Sequence, residues 1–182
     1  FFKQKTAYEI PKRDWSSDVC SSDLNSGLST IGVDINKQLV DTINSGIFPL
    51  KDEPGYDSIF ENVLRDKKFR ATIKIEEGVP ASDVILLSLP TPMNDQNVPY
   101  YDALKSVGKQ LHDHLNKGSL VIVESTIEPG FVENELIQII EGTDKKLKAG
   151  KDFGIGVCPE TANPGQILRS EEHTSELQSR FG

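Results

Sequence analysis

The sequence predicts an α/β fold, a doubly wound parallel sheet, on three observations. Short β-branched runs alternate with amphipathic stretches from residue 25 to residue 169. Two of the runs are nearly unbroken apolar segments, as expected of strands covered on both sides. The order strand, helix, strand, helix needs crossover connections, and these place helices against a parallel sheet.

Taken in order, STIGVDI (29–35) reads as a strand and NKQLVDTINSG (36–46) as the helix that follows it. DVILLSLP (83–90) is the next strand, with Val84 to Leu89 almost wholly apolar. In the stretch from Tyr100 to Leu115, apolar residues fall at Leu104, Val107, Leu111 and Leu115, the spacing of one helical face. Asn116-Lys117-Gly118 ends that helix. SLVIVEST (119–126), FVENELIQIIE (131–141) and FGIGVCP (153–159) complete the alternation as strand, helix and strand. Glu61, Asp66, Lys67 and Lys68 read as charges on a helix surface.

Asp34 ends the strand IGVDI. At the end of the second strand of a Rossmann unit, a carboxylate accepts hydrogen bonds from both hydroxyls of an adenosine ribose. Its charge also repels the 2′-phosphate of NADP, so NAD is the expected cofactor. Many strands end in Asp for turn reasons alone, which is the plain alternative. The partner motif, Gly-x-Gly-x-x-Gly, belongs about 20 residues earlier. There the chain reads IPKRDWSSDVC, and its first glycine is Gly27. The fold expected is therefore a Rossmann-like doubly wound parallel sheet that is incomplete, its first strand and glycine-rich loop missing.

With 182 residues, 36% hydrophobic and 26% charged, the chain is long enough for one domain with a core. A net charge of −8 gives a phosphate backbone nothing to attract, so nucleic acid is not an expected partner. No run approaches the roughly 18 apolar residues of a membrane span, and FFKQKTAYEIPKRD lacks the parts of a signal peptide. Cys20 and Cys158 make no disulfide framework, which favours a cytoplasmic location. Cys158 ends an apolar strand and reads as an inert core thiol. His112 and His114, two apart on a helix, cannot converge on one ion, and no metal is expected.

The ends have a different character. Residues 1–24 hold the only Trp (Trp15), four serines and no glycine, and residues 170–182 are polar and patternless. Both strings resemble peptides translated from sequencing-library adapter DNA. That resemblance implies artefactual segments at 1–24 and 170–182, with junctions near Leu24 and Arg169, around a partial dinucleotide-binding domain at 25–169. A disordered arm and a solvated tail are the alternative.

Four motifs then point to one family. GVDINKQLVDTINSGIFPLKDEPG resembles the segment after the ribose-binding Asp in UDP-glucose and GDP-mannose dehydrogenases, where a helix leads to a Gly-x-x-Pro turn and an acidic-Pro-Gly step. Here these are Gly46, Pro49, Glu53, Pro54 and Gly55. SDVILLSLPTPMN resembles that family's fourth strand, which ends in a Thr-Pro step, here Thr91-Pro92, against the cofactor. VIVESTIEPGFVENEL resembles the fifth strand with its Ser-Thr signature, and GVCPETANPG the Pro-Glu stretch that leads to the sugar.

The resemblance implies an NAD-dependent oxidation of the C6 alcohol of a nucleotide-linked sugar to a carboxylate. It assigns Asp34, Thr91, Pro92 and Thr126 to the cofactor, a catalytic water to Thr126, and an active-site place to Glu160. Glu124, before the Ser-Thr pair, is a candidate to orient that loop. UDP-glucose dehydrogenases carry a second Glu four residues after the first; Pro164 stands there. That departure resembles the UDP-N-acetylmannosamine and UDP-N-acetylglucosamine branch, so a UDP-sugar is the expected substrate. The family's nucleophilic Cys lies beyond Arg169, and full-length relatives are expected to be homodimers. The polypeptide as written is expected to bind NAD poorly and not to turn over. Competing readings are a UDP-glucose 6-dehydrogenase, another Rossmann dehydrogenase of hydroxyacyl or 6-phosphogluconate type, and a non-catalytic nucleotide-binding or scaffold protein. The EST-x-x-PG and PE-x-x-x-PG pair argues against the other Rossmann types.

Overall fold

The computed structural model describes residues 2–3, 28–47, 56–144 and 146–159. Its strands are β1 (Phe2–Lys3), β2 (Thr30–Val33), β3 (Phe69–Thr72), β4 (Val84–Leu87), β5 (Leu120–Val123) and β6 (Gly154–Val157), of which β2, β4, β5 and β6 fall on the apolar runs. Every described strand pairing is parallel. β2 pairs with β1 on one side and β3 on the other, and β5 stands between β4 and β6. The described strands form two three-stranded sheets that adjoin where β1 lies beside β4, and across that junction their order reads 3-2-1-4-5-6. That is the order of a dinucleotide-binding doubly wound sheet, as the alternation predicts.

The first strand, expected to be missing, is present as two residues. Phe2 and Lys3 pair with Ile31 and Gly32 through the backbone, which needs no apolar period over so short a length. The stretch due to carry the glycine-rich turn, residues 10–20, lies outside the described residues, as do Pro49, Glu53, Pro54, Gly55 and the tail 170–182.

The helices are α1 (Lys37–Asn44), α2 (Tyr56–Arg65), α3 (Ile75–Gly78), α4 (Asp102–His114) and α5 (Ile137–Glu141). Asn36 caps α1 by accepting from Leu39 N at 3.2 Å, and Val40 and Ile43 form its buried face. Gly46, at φ +89°, turns the chain away after α1 in a conformation that suits glycine. On α4 the buried positions are Leu104, Val107, Gly108 and Leu111; all but Gly108, with buried Leu115 just after the helix, are the spaced set read from the sequence. Gly108 lets α5 and the turn before it approach: a Cβ there would lie 2.9 Å from Leu136 Cδ1 and 3.1 Å from Ile139 Cγ2. The segment before α5 is not plain α-helix. Val132–Leu136 forms a π turn that runs directly into α5.

The larger core joins Ile85 and Leu87 of β4 and Val121 and Val123 of β5 to Leu104, Val107 and Leu111 of α4 and to Leu136 and Ile140. A smaller cluster gathers Val40, Ile43, Phe60, Phe69 and Ala71 around β3. The expectation of strands covered on both faces holds only in part. Val121 and Val123 are sealed, whereas Leu120, on the opposite side of the pleat, is 40% exposed. β3 and α3 were not legible in the sequence. FRAT is short and carries Arg70 on its exposed side, so no apolar run marks it.

Candidate functional site

Because the strands all run one way, their carboxyl ends share one edge, and ligands of such sheets bind beyond that edge. Asp34 directly follows β2 there. Its backbone N–H donates to Thr72 O at 3.1 Å, and its Oδ1 accepts from Asn36 N at 2.8 Å. This bond starts the turn into α1, so the turn reading of Asp34 is realised in one carboxylate oxygen. The residue is 3% exposed, and a ribose could reach its carboxylate only after the covering atoms move aside.

Thr91 and Pro92 follow β4. Thr91 is half-buried and Pro92 exposed. Beyond them the chain makes a tight excursion closed by Tyr100 N donating to Pro92 O at 2.8 Å. At its tip, Asn94 Oδ1 accepts from Gln96 N and Val98 N at 3.0 and 2.8 Å.

Thr126 follows β5 and is exposed. The loop that holds it is tied down at both ends. Upstream, Ser125 is buried and its Oγ accepts from Leu89 N at 2.8 Å, while Ser88 Oγ donates to Glu124 Oε2. Downstream, Glu128 N donates to the hydroxyl of buried Tyr101 at 2.9 Å, whose ring stacks on Phe131 with centroids 4.2 Å apart. Lys105 reaches Glu135 at 2.6 Å, and that bond raises the pKa of its ammonium above the ordinary lysine value. The loop of Thr126 is thus anchored to α4.

The structure therefore sets Asp34, Thr91, Pro92 and Thr126 along one edge and links Thr91 and Thr126 through the chain segments just before them. Glu160 lies outside the described residues. Cys158 is exposed, contrary to the core thiol expected. It follows the outermost strand of the second sheet, where Val157 is also exposed, so the apolar run does not bury its last side chain. His112 packs beneath Gly142 with Nδ1 3.0 Å from Ile140 O, a contact between the ends of α4 and α5. Among the described residues no cluster of His, Cys, Asp or Glu could hold a metal ion, and no helix is long and apolar enough to cross a membrane. Ser88, Ser125 and Tyr101 went unread because each acts on a residue 27 or 36 positions away.

Comparison with known proteins gives a consistent result. A family model described as the NAD binding domain of the UDP-glucose/GDP-mannose dehydrogenase family matches residues 19–176. A GDP-mannose 6-dehydrogenase of Pseudomonas putida is 35% identical over 174 residues, 90% of this chain and 39% of that protein. A UDP-N-acetyl-D-mannosamine dehydrogenase of Campylobacter jejuni is 34% identical over 148 residues, 78% of this chain and 35% of that protein. A crystal structure of a ternary complex of GDP-mannose dehydrogenase from Pseudomonas aeruginosa superposes with a TM-score of 0.78 at 25% identity, covering 93% of this chain and 38% of that one. The chain thus spans under two-fifths of the length of these relatives.

Proposed function

The chain belongs to the UDP-glucose/GDP-mannose dehydrogenase family, matching its NAD-binding domain, and on that premise we propose that it is the cofactor-binding part of an enzyme that oxidises C6 of a UDP-hexosamine of the N-acetylmannosamine type. One observation carries the reading: Asp34, Thr91 and Thr126 stand at the carboxyl ends of β2, β4 and β5 of a parallel sheet in dinucleotide-binding order.

The residues present fit the adenosine side of NAD once the atoms that cover the Asp34 carboxylate move aside. Asp34 would take the ribose hydroxyls, and its charge would disfavour a 2′-phosphate. Thr91-Pro92 would line the cofactor, and the Thr126 hydroxyl would hold a water near the reacting carbon. Glu160 would stand on the sugar side. Bound NAD would supply the hydride acceptor for the alcohol carbon. The pyrophosphate side fits less well, since backbone N–H groups approach a pyrophosphate most closely at a glycine turn and no glycine precedes Gly27. The polypeptide as written therefore binds NAD weakly, with a Kd on the order of millimolar, and does not turn over.

Titration with NAD and NADP, followed by NMR, tests this. Weak binding that prefers NAD, and a smaller preference in Asp34→Asn, is the expected result. Asn can keep one oxygen as the acceptor for Asn36 N while the charge is lost and the other oxygen becomes an NH2 donor, so an unchanged preference would remove Asp34 from the ribose. Micromolar binding, or NAD reduction with UDP-N-acetylmannosamine by these 182 residues, would contradict the weak-binding claim.

A second sugar has an observation in its favour: the Pseudomonas putida relative, 35% identical, is a GDP-mannose 6-dehydrogenase. The Pro-Glu stretch with Pro164 supports the UDP-hexosamine. The protein read from the locus beyond position 182, assayed with both nucleotide sugars, separates them.

A further inference from the structure

We propose that Ser125 is a positioning residue: its one hydroxyl clasps the exits of β4 and β5 together and fixes Thr91 and Thr126 relative to each other before any ligand arrives.

The clasp begins where the backbone ladder stops. The last paired residues of β4 and β5 are Leu87 and Val123. Beyond them Glu124 N and Ser125 N both lean on Leu87 O, at 3.0 and 3.3 Å. The Ser125 side chain then replaces the ladder. Its Oγ accepts from Leu89 N at 2.8 Å and lies 2.8 Å from Leu89 O and 3.2 Å from Leu87 O. A hydroxyl has one proton, so it donates to one of these carbonyls at a time, and the shorter contact favours Leu89 O. Ser125 and Leu89 thus exchange a donor and an acceptor, as two residues of neighbouring strands do. Both are buried, Ser125 at 7% and Leu89 at 5% exposure, so water cannot readily replace the bonds.

The placement gives this bond its consequence. Thr126 is the next residue after Ser125. Thr91 is two residues after Leu89, with Pro90 between them and Pro92 beyond, and proline rings restrict φ so that an anchor at Leu89 is transmitted stiffly. The Ser88–Glu124 hydrogen bond runs beside it as a second strap. One buried hydroxyl therefore holds two residues of the ligand edge that come from different strands. Their role toward NAD rests on the function proposed above, but the clasp does not need NAD to be tested.

Amide hydrogen exchange on the full chain reads the clasp directly. In the wild type the Leu89 amide should exchange slowly, unlike the amide of exposed Asp95 in the loop beyond Pro92. In Ser125→Ala it should exchange at least about tenfold faster while the ladder amides of β4 and β5 keep their rates, and Ser125→Thr, which restores the hydroxyl, should recover protection. Acceleration of all amides alike would make Ser125 merely structural and overturn the proposal, as would an unchanged Leu89 rate. Were Ser125→Ala not to fold, the wild type would decide: a slow Leu89 amide supports the clasp and a fast one ends it. Failure of NAD binding with the clasp intact would instead count against the function.

Discussion

The two halves of the sheet differ in how they are held. β4, β5 and β6 share with α4 and α5 a cluster of eighteen buried apolar residues, to which the first half lends Val33, Ile75 and Val79. Among the described residues, β2 and β3 with α1 and α2 have five of their own. Yet the candidate ligand edge draws on both, taking Asp34 from the lightly packed half and Thr91 and Thr126 from the heavily packed one. The halves meet at β1, two residues paired with β2 and lying beside β4. Burial scales stabilisation, and among the described residues the first half has the smaller apolar cluster, so opening should begin there.

The largest expected effect breaks the second half. Leu104 is fully buried on α4, and Leu104→Ala should cost about 3–5 kcal/mol in urea unfolding, against about 2–3 for Ile43→Ala in the smaller cluster, where neighbours collapse more easily. Equal costs would erase the contrast. Gly142→Ala comes next. Gly142 sits at φ +64°, ψ −172°, and a Cβ there would lie 2.4 Å from the ring of His112. About 2–3 kcal/mol of destabilisation, read from the same unfolding curves, is expected from that backbone region.

In the first half, Asn44 offers a sharper probe. Its amide donates to Ala71 O and accepts from Ala71 N, both at 2.9 Å, on the side of β3 away from β2. One side chain there stands in for a neighbouring strand and covers an edge. Asn44→Ala should cost about 1–2 kcal/mol and speed exchange at Ala71 before it affects β5.

The smallest effect is electrostatic. The hydrogen bond from Lys117 lowers the pKa of Asp152 below its ordinary 3.8, and those from Lys74 and Thr72 lower that of Glu77 below 4.5. A depressed carboxylate contributes stability that is present above its unfolded value and lost as pH falls through its folded value. Acid below about pH 4 should therefore weaken the protein, and Lys117→Ala should remove part of that dependence. An acid profile identical in that variant would exclude the Asp152 pair as a contributor.

Much of this was legible in the sequence for physical reasons. The runs behind β2, β4, β5 and β6 are apolar and bounded by turn residues, and the period of α4 marks its buried face. Asp34, Thr91 and Thr126 announce themselves as polar residues at strand exits. β3 was not legible, since Arg70 and the preceding lysines hide a four-residue strand whose partners lie far away in sequence. Nor was the clasp, because a serine at a strand end carries no local sign of a partner 36 residues earlier. The exposure of Cys158 was not legible either, because an apolar run tells that a strand forms but not whether it lies at the sheet's margin.

The shared edge is the central claim, and amide chemical shifts on adding NAD test it most directly. Shifts at Ile35–Lys37 in the first half, together with Thr91, Met93, Thr126 and Ile127 in the second, are the result predicted. Shifts confined to one half, or gathered at the opposite edge around Phe69, Val84 and Gly154, would contradict it.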